Sequence, residues 1–495
     1  MLIIRMFLFI TICSVPMRAA DLRLPHLFSD GMVLQRDRPV PIWGWAGAGE
    51  SITVQVGTRS ATAVADADGR WSTTVEPLPA GGPVEFQVTG PSGRISVRDV
   101  LVGDVFQISG QSNAAMSMGS ARRFPGTDDD LAAGVSPEIR LFQVPWSQFS
   151  AEPRDDVDAR WSKGGNDLKE LSSWSALAFY FAREMHERLQ VPIGIVRASH
   201  AGGMAEIKMS KEALKSYPAG KRFYDEGMAF YEKNRAKADA TPSSTVREGE
   251  LPPEPKATGK IDGRYPASDW NGAIAPVIRY AKRGVVWYQG EHNAGRGSFA
   301  YRDTLPVLVR SWREAAGDPA LPFIIVQLPR FEGKGWPMLR ESQAVAFRHI
   351  PDAALVVTID LGEKDNIHPA DKKPVALRAA AEARRLIYHQ DVAGCGPLFA
   401  GADIRGDAVT IRFTNVRGGL HGVPAEDPAG FTIAGQDRIF VPAQVEIHGD
   451  TVVVAAPGVK APVAVRYAWA SFPEVGLFDG GLLPVAPFRT DTYAE

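Results

Sequence analysis

Apolar residues follow two different patterns along this chain. Between residues 21 and 99 they form short, partly alternating runs that are separated by clusters of Gly, Pro and Asp. Regular spacing of such runs predicts a small β-sandwich. From residue 100 to residue 390, apolar runs alternate with segments whose apolar residues recur every three or four positions. That alternation predicts an α/β domain, with a parallel sheet covered by helices on both faces.

Five strands are predicted in the α/β segment, and most are followed by a helix-like stretch. Between residues 209 and 263 the pattern weakens, so we expect an excursion from the sheet that is helical over residues 223–233. Strand-like alternation returns over residues 391–495, which predicts a C-terminal β-domain. The five predicted strands span residues 105–108, 193–196, 284–288, 323–328 and 354–358.

Length and composition limit the class of protein. A chain of 495 residues is expected to form two or three domains. Its 45% hydrophobic and 23% charged residues are typical of a soluble globular protein. A net charge of −2 and the lack of any Lys/Arg-rich run argue against nucleic acid as a partner.

Residues 1–20 have the pattern of a secretory signal peptide. A short apolar core lies beside a basic residue and ends in two alanines. The alternative interpretation of this segment is a buried first strand. Removal of a signal peptide would take Cys13 with it and leave Cys395 alone, so no intrachain disulfide could form. We therefore predict a secreted or periplasmic protein that does not associate with a membrane after cleavage.

Polar motifs follow four of the five predicted strands. Ser112 follows the first strand, residues 200–203 the second, residues 289–293 the third and residues 365–368 the fifth. The carboxyl ends of parallel strands meet at one edge of a sheet, where open α/β sheets bind their ligands. We therefore expect these four motifs to converge on one site, although they lie far apart in the sequence.

A serine nucleophile is the chemistry that these residues favour. A serine hydroxyl needs a base, which is usually a histidine oriented by a carboxylate. Asp365 and His368 are three residues apart and can meet around one turn, so we predict that His368 is the base and Asp365 its partner. Ser112 would be the nucleophile. The alternative is that Ser112 only caps the helix that follows it.

An acyl-transfer site also needs hydrogen-bond donors around the developing oxyanion. Glycine N–H groups suit this role because no side chain blocks the approach of the substrate. The predicted donors are the N–H of Ser112, the N–H of Gly202 or Gly203, and the side-chain amide of Gln289. No spacing of residues predicts a metal site, and no cofactor is expected.

Several polar residues near these motifs have two interpretations. We predict that the substrate contacts Gln111, Asn113, Glu291 and His292. His292 is also a rival to His368 for the role of base, although no carboxylate precedes it at the same spacing. Asn113 and Glu291 could instead hold neighbouring loops by hydrogen bonds.

The ordered motifs resemble those of the sialate O-acetylesterase-like carbohydrate esterases of the SGNH hydrolase superfamily. The similarity covers nearly the whole chain after residue 20. It implies a flavodoxin-like esterase domain at 100–390, an N-terminal β-sandwich at 21–99 and a C-terminal β-domain at 391–495. It also implies a metal-independent esterase that removes acetyl groups from sugar hydroxyls, with Ser112, His368 and Asp365 as its triad. The motifs that carry the resemblance lie at residues 27–35, 110–113, 287–291, 365–369 and 465–469.

Two departures from the family pattern concern the predicted pocket. The family usually has Trp-Gly-Gly-Thr where residues 201–204 read Ala-Gly-Gly-Met, and it often has Ser or Thr at the position of His292. Both departures bear on substrate specificity rather than on chemistry.

Three functions are consistent with these motifs, each with an acetylated sugar or glycan as its partner. A sialate O-acetylesterase is favoured. An acetylxylan or other polysaccharide acetylesterase is the enzymatic alternative. A non-catalytic carbohydrate-binding protein is the alternative of another class, and the complete set of Ser, His and Asp argues against it.

Overall fold

The computed structural model describes residues 21–145, 149–200, 202–239, 265–423 and 429–493, without the side chains of residues 234–239. The predicted signal peptide and the second half of the predicted excursion lie outside the described residues. Within these ranges the chain is a mixed α/β protein, with a central sheet and further β-sheet regions at both ends. No helix among the described residues combines the length and the apolar character that a membrane span requires.

The N-terminal region contains six strands before the central sheet. β3 pairs with β4 and β6, and β2 pairs with β5 in a separate two-stranded sheet. The strands are β1 (Val33–Gln35), β2 (Val40–Trp45), β3 (Ser51–Val56), β4 (Arg59–Val64), β5 (Arg70–Val75) and β6 (Gly81–Gly90).

The described part of the central region contains seven strands and twelve α-helices, besides a 3₁₀ turn (Ala205–Lys208) and a π-helical turn (Trp270–Ile274). Its strands are β7 (Gly93–Gly110), β8 (Ile139–Gln143), β9 (Trp161–Lys163), β10 (Ile193–Ser199), β11 (Gly284–Tyr288), β12 (Phe323–Val326) and β13 (Ala353–Val356). Its helices are α1 (Ser112–Ala115), α2 (Met118–Ala121), α3 (Thr127–Ala133), α4 (Leu168–Ser173), α5 (Ala176–Leu189), α6 (Lys211–Lys215), α7 (Pro218–Asp239), α8 (Ala275–Ile278), α9 (Glu291–Ala294), α10 (Tyr301–Ala316), α11 (Trp336–Arg348) and α12 (Lys373–Tyr388).

The central sheet has the strand order β13-β12-β11-β7-β10-β8-β9, and all its pairs are parallel except β8 with β9. The five predicted strands correspond to β7, β10, β11, β12 and β13, and they stand in the order 2-1-3-4-5. That is the order of a flavodoxin-like sheet. After β7 the chain forms β8, β9 and β10 on one side of β7 and then crosses to β11 on the other side. The topological switch point therefore lies at the end of β7.

Strand β8, beyond β10, was not predicted from the sequence. Its second residue is Arg140, which interrupts the apolar run that would mark a buried strand. Arg140 is only 2% exposed in the structure, and it forms an ion pair with Asp99. A buried, paired arginine therefore concealed this strand.

Strand β7 continues through the predicted boundary between residues 99 and 100. Its first half pairs with β6 and β1, and its second half pairs with β10 and β11. The boundary is therefore not a linker, and the three-part division of the chain stays a proposal.

The helices of the central region pack as neighbouring pairs. Helices α5 and α12 contact each other, with α5 on strand β10 and α12 on strands β11, β12 and β13. Helix α10 packs against α11. The hydroxyl of Ser175 caps α5 by accepting the N–H of Ala178. The helix predicted at residues 223–233 lies within α7.

The C-terminal region is all β over its described residues, and a buried arginine joins it to the central region. Arg340 on α11 is fully buried, and its guanidinium donates to the carbonyls of Ala470 and Ser471. Buried apolar residues of all three regions form one contiguous core. The strands are β14 (Leu398–Arg405), β15 (Ala408–Thr414), β16 (Leu420–Gly422), β17 (Phe431–Ala434), β18 (Phe440–Pro442), β19 (Gln444–His448), β20 (Thr451–Ala455), β21 (Ala464–Tyr467), β22 (Leu477–Asp479) and β23 (Phe488–Arg489).

Candidate active site

The turn after β7 carries the first site residue and depends on a glycine. Gly110 has φ +144°, and a Cβ atom there would lie 1.9 Å from the carbonyl oxygen of Tyr288 on β11. Only glycine therefore allows β7 and β11 to approach so closely at their carboxyl ends. The N–H of Gln111 donates to the same Tyr288 carbonyl at 3.1 Å, and α1 begins at the next residue, Ser112.

Ser112 is the first helical residue and not the cap of the helix. Gln111 occupies the N-cap position, and its side chain makes no capping hydrogen bond. The interpretation of Ser112 as an N-cap is therefore wrong. Its hydroxyl is directed instead to the base loop, the segment between β13 and α12 that carries His368, and Oγ lies 2.7 Å from Nε2 of His368.

His368 is held in place by its backbone. Its N–H donates to Oδ1 of Asn366 at 3.0 Å, and the guanidinium of Arg123 donates to its carbonyl. Burial, together with the positive charges of Lys372 and Arg123, lowers the pKa of His368 below its ordinary value of 6.5. The imidazole is therefore neutral at pH 7, the state in which Nε2 can take a proton from Ser112.

Asp365 does not join this pair in the structure. Its side chain is exposed, and within the described ranges no hydrogen bond connects it to His368. The turn is held by Glu363, whose carboxylate accepts from Nδ2 of Asn366 at 2.8 Å and from the N–H of Ala370 at 2.9 Å. The role of Asp365 as the partner of His368 therefore stays a prediction.

The predicted oxyanion donors differ in how the structure places them. The Ser112 N–H is at the first helical position, where the helix itself supplies no acceptor. Gly202 and Gly203 follow β10 with φ values of +70° and +83°, a left-handed conformation that glycine adopts without strain. These three donors stay predictions.

Gln289 is turned away from this role. It is fully buried, and its Nε2 donates to Oδ1 of Asn293 at 2.8 Å and to the carbonyl of Gly203 at 3.4 Å. Its Oε1 accepts the hydroxyl of Tyr301 at 2.8 Å. Because both polar atoms of the amide are engaged, the geometry argues against Gln289 as an oxyanion donor and indicates that it supports the Gly203 loop.

Asn113, next to Ser112, is bonded both to Glu291 on α9 and to the loop that carries His368. Nδ2 of Asn113 donates to Oε1 of Glu291 at 2.6 Å and to the carbonyl of Ile367 at 2.9 Å. Asn113 is 1% and Glu291 6% exposed. This burial favours the interpretation that they hold loops over their predicted contact with substrate.

Gln111 and His292 lie beside each other at the neighbouring edge of the site. The N–H of His292 donates to Oε1 of Gln111 at 3.4 Å, and the His292 side chain is exposed. No hydrogen bond connects the His292 ring to Ser112 in the described part of the chain. The structure therefore places His368, and not His292, in contact with the serine. The substrate contacts predicted for Gln111 and His292 stay predictions.

A cavity of about 680 Å³ opens at Ser112 and His368. Two arginines in its wall, Arg123 and Arg197, were not predicted from the sequence, because no motif marks them. The guanidinium of Arg197 is buried and donates to the carbonyls of Ser199 and Val144. The cavity is lined by Ser112, Ala115, Met116, Ser117, Ser120, Arg123, Gln143, Pro145, Ser173, Arg197 and His368.

In the described ranges, no group of three or more acidic, histidine or cysteine side chains is placed to hold a metal ion. The free thiol of Cys395 is buried away from the site, and burial raises its pKa well above the ordinary value.

A serine in hydrogen-bond contact with a neutral histidine, at the switch point of a parallel sheet, is the site of an α/β protein of the serine-hydrolase type. A family model for carbohydrate esterases, the sialic acid-specific acetylesterases, matches residues 272–382. A solved carbohydrate acetylesterase from Xanthomonas citri is 32% identical, with a TM-score of 0.81 over 95% of this chain and 100% of that one. The chain therefore belongs to this carbohydrate esterase family, which confirms the family predicted from the motifs.

Curated relatives also match most of the chain. The sialate O-acetylesterase of Mus musculus is 29% identical over 466 residues, which cover 86% of this chain and 85% of the relative. The sialate O-acetylesterase of Rattus norvegicus is 28% identical over 463 residues, with 84% and 83% covered.

Proposed function

We propose that this protein is a serine esterase that hydrolyses O-acetyl esters on carbohydrates, with acetylated sialic acids as its first candidate substrates. The observation that carries the proposal is the 2.7 Å contact between Ser112 Oγ and His368 Nε2 at the mouth of a cavity of about 680 Å³. The sialate O-acetylesterases that match this chain support the substrate class.

The reaction follows from the two side chains in contact. Nε2 of His368 removes the hydroxyl proton while Ser112 Oγ attacks the acetyl carbonyl, and a tetrahedral oxyanion forms. His368 then donates that proton to the departing sugar oxygen, which leaves as an alcohol. A water molecule attacks the acetyl-serine with His368 again as base, and acetate is released with the serine restored.

The oxyanion needs donors, and the orientation of His368 needs a partner. The Ser112 N–H and the N–H of Gly202 or Gly203 are the proposed donors. We assign no donor to Gln289, because its amide is bonded within the protein. Asp365 remains the proposed partner of His368, on the strength of its spacing.

The charge of the cavity favours an acidic sugar over a neutral one. The guanidinium groups of Arg123 and Arg197 line the cavity, and the hydrogen bonds they donate within the described ranges all go to backbone carbonyls. Because Arg123 is exposed, a sugar carboxylate can pair with its guanidinium without displacing an acidic side chain, whereas Arg197 is buried and held by backbone carbonyls. Acetylxylan, whose backbone is neutral, offers no such group.

The proposal is tested by a panel of acetylated sialic acids, acetylxylan and a small chromogenic acetyl ester. We expect acetate release from the ester and from at least one sialic acid, and little from acetylxylan. Fast deacetylation of acetylxylan alone would favour the polysaccharide esterase. Binding of sugars without any acetate release would favour the non-catalytic alternative.

We also propose that the protein is secreted or periplasmic. The proposal rests on the sequence pattern of residues 1–20, and analysis of the N-terminus of the exported protein tests it. A mature chain that begins near residue 21 is expected.

A further inference from the structure

Glu291 is a buried carboxylate to which the reaction gives no role. It is 6% exposed, and burial raises its pKa to about 7. Its Oε1 accepts from Asn113, whereas its Oε2 has no hydrogen-bond partner in the described part of the chain. Burial of an incompletely bonded carboxylate costs stability, and such costs are typical of functional sites.

The surroundings of Glu291 connect both catalytic loops. Asn113 directly follows Ser112, and its Nδ2 is shared between Glu291 and the carbonyl of Ile367, the residue that precedes His368. Lys372 lies buried just after the His368 loop, its Nζ donates to the carbonyl of Pro369, and Glu291 is the opposite charge that acts on it most strongly. The Glu291 carboxylate thus interacts with Asn113, next to the nucleophile, and with Lys372, next to the loop that carries His368.

We propose that Glu291 is a positioning residue that, through Asn113, holds Ser112 and His368 in hydrogen-bond contact. The two catalytic residues come from loops 256 residues apart in sequence, so the distance between them depends on side chains that cross from one loop to the other. The Asn113 amide makes such a contact, and Glu291 fixes its orientation because Oε1 of Glu291 accepts from Asn113 Nδ2 at 2.6 Å. The inference rests on the proposed esterase function.

The role predicts a specific kinetic effect. Misplacement of catalytic groups by about 1 Å can lower a rate by about 100-fold, while binding of substrate to the cavity wall is unaffected. Loss of the Glu291 acceptor should therefore lower kcat and leave KM nearly unchanged. Glutamine keeps a carbonyl oxygen for Asn113 and should restore most of the activity.

The test compares Glu291→Met, Glu291→Gln, Asn113→Leu and the double variant Glu291→Met/Asn113→Leu on a small chromogenic acetyl ester. We expect Glu291→Met to lose about 100-fold in kcat with KM within about threefold of the wild type, and Glu291→Gln to stay within about tenfold of wild-type kcat. Asn113→Leu should lose as much as Glu291→Met. The double variant should lose little more than either, because both residues act through one bridge.

Glu382→Gln is the matched control, since Glu382 on α12 is also a fully buried glutamate and is bonded to Arg385. It should reduce thermal stability and leave kcat unchanged. If Glu291→Met does not fold, Asn113→Leu breaks the same bridge and carries the same expectation.

A kcat for Glu291→Met within about threefold of the wild type would overturn the proposal. So would additive losses in the double variant. A wild-type protein without turnover would instead reject the esterase function itself.

Discussion

At the scale of single residues, the chemistry depends on the protonation state of His368. A general base must be neutral before it can accept a proton, and burial with two nearby cations favours the neutral imidazole. The same cations disfavour the imidazolium that forms during attack. A carboxylate near Nδ1 would offset that cost, which is the role proposed for Asp365.

Variants of the two histidines separate the base from its rival. His368→Ala should lower kcat on every acetyl ester by roughly 1,000-fold or more, since it removes the proton acceptor of Ser112. His292→Ala should change mainly KM or the preference among sugars, because the His292 side chain is exposed and no hydrogen bond joins its ring to Ser112 in the described ranges. Asp365→Asn should fall between them. Steady-state kinetics on a small ester and an acetylated sugar test which histidine is the base. If His292→Ala is inactive on both substrates while His368→Ala retains activity, the assignment of His368 as the base is wrong.

The pH profile reports the lowered pKa of His368. The base works only when it is unprotonated, so kcat/KM should rise with pH and reach its plateau after a midpoint below pH 6.5. Arg123→Gln removes one of the charges that lower the pKa, and the midpoint should therefore shift to higher pH. Arg122→Gln is the control, because Arg122 pairs with Asp128 on the surface. A midpoint that is the same in Arg123→Gln as in the wild type would show that the charge of Arg123 does not act on the base.

At the scale of elements, the site depends on how closely β7 and β11 approach. Gly110 pairs with Ser199 on one side and with Tyr288 on the other, so the ends of three strands are level at the switch point. The turn into α1 then places Ser112 beyond the sheet edge. Any side chain at Gly110 would have to separate β7 from β11.

Gly110→Ala should destabilise the protein through two effects, an unfavourable positive φ and a clash with the Tyr288 carbonyl. Gly93→Ala, at the start of the same strand, has a similar φ of +153° but open space around its Cβ. Backbone strain alone costs about 1–3 kcal/mol, so Gly110→Ala should lose at least about 2 kcal/mol more than Gly93→Ala in denaturant unfolding. Equal losses would mean that the close approach of the strands is not rigid.

The sequence predicted elements better than side-chain partners. The five strands can be predicted because each is buried and therefore apolar in sequence. The site motifs can be placed because each one follows the end of a predicted strand. Strand β8 was missed because Arg140 interrupts its apolar run and is neutralised by Asp99, a contact between distant residues. The sequence predicts Gln289 as an oxyanion donor from its place after a strand, and it cannot show that Asn293 and Gly203 accept from that amide.

At the scale of the whole molecule, one core spans all three regions, and the site lies at its central sheet. The long strand β7 belongs to both the N-terminal and the central sheet regions, and Arg340 connects the central region to the C-terminal strands. The segments that carry Ser112 and His368 therefore extend from a central sheet that is packed against both flanking β-regions. The structural similarity to the Xanthomonas citri carbohydrate acetylesterase covers 95% of this chain and so extends into all three regions.

The most direct test of the account is the turnover of Ser112→Ala on the chromogenic ester and on an acetylated sialic acid. The variant should fold with wild-type thermal stability, because a hydroxyl is all that is removed. Its kcat should fall by roughly 1,000-fold or more on both substrates, the scale expected when a nucleophile is lost. A correctly folded Ser112→Ala protein that releases acetate at a near-wild-type rate would contradict the account.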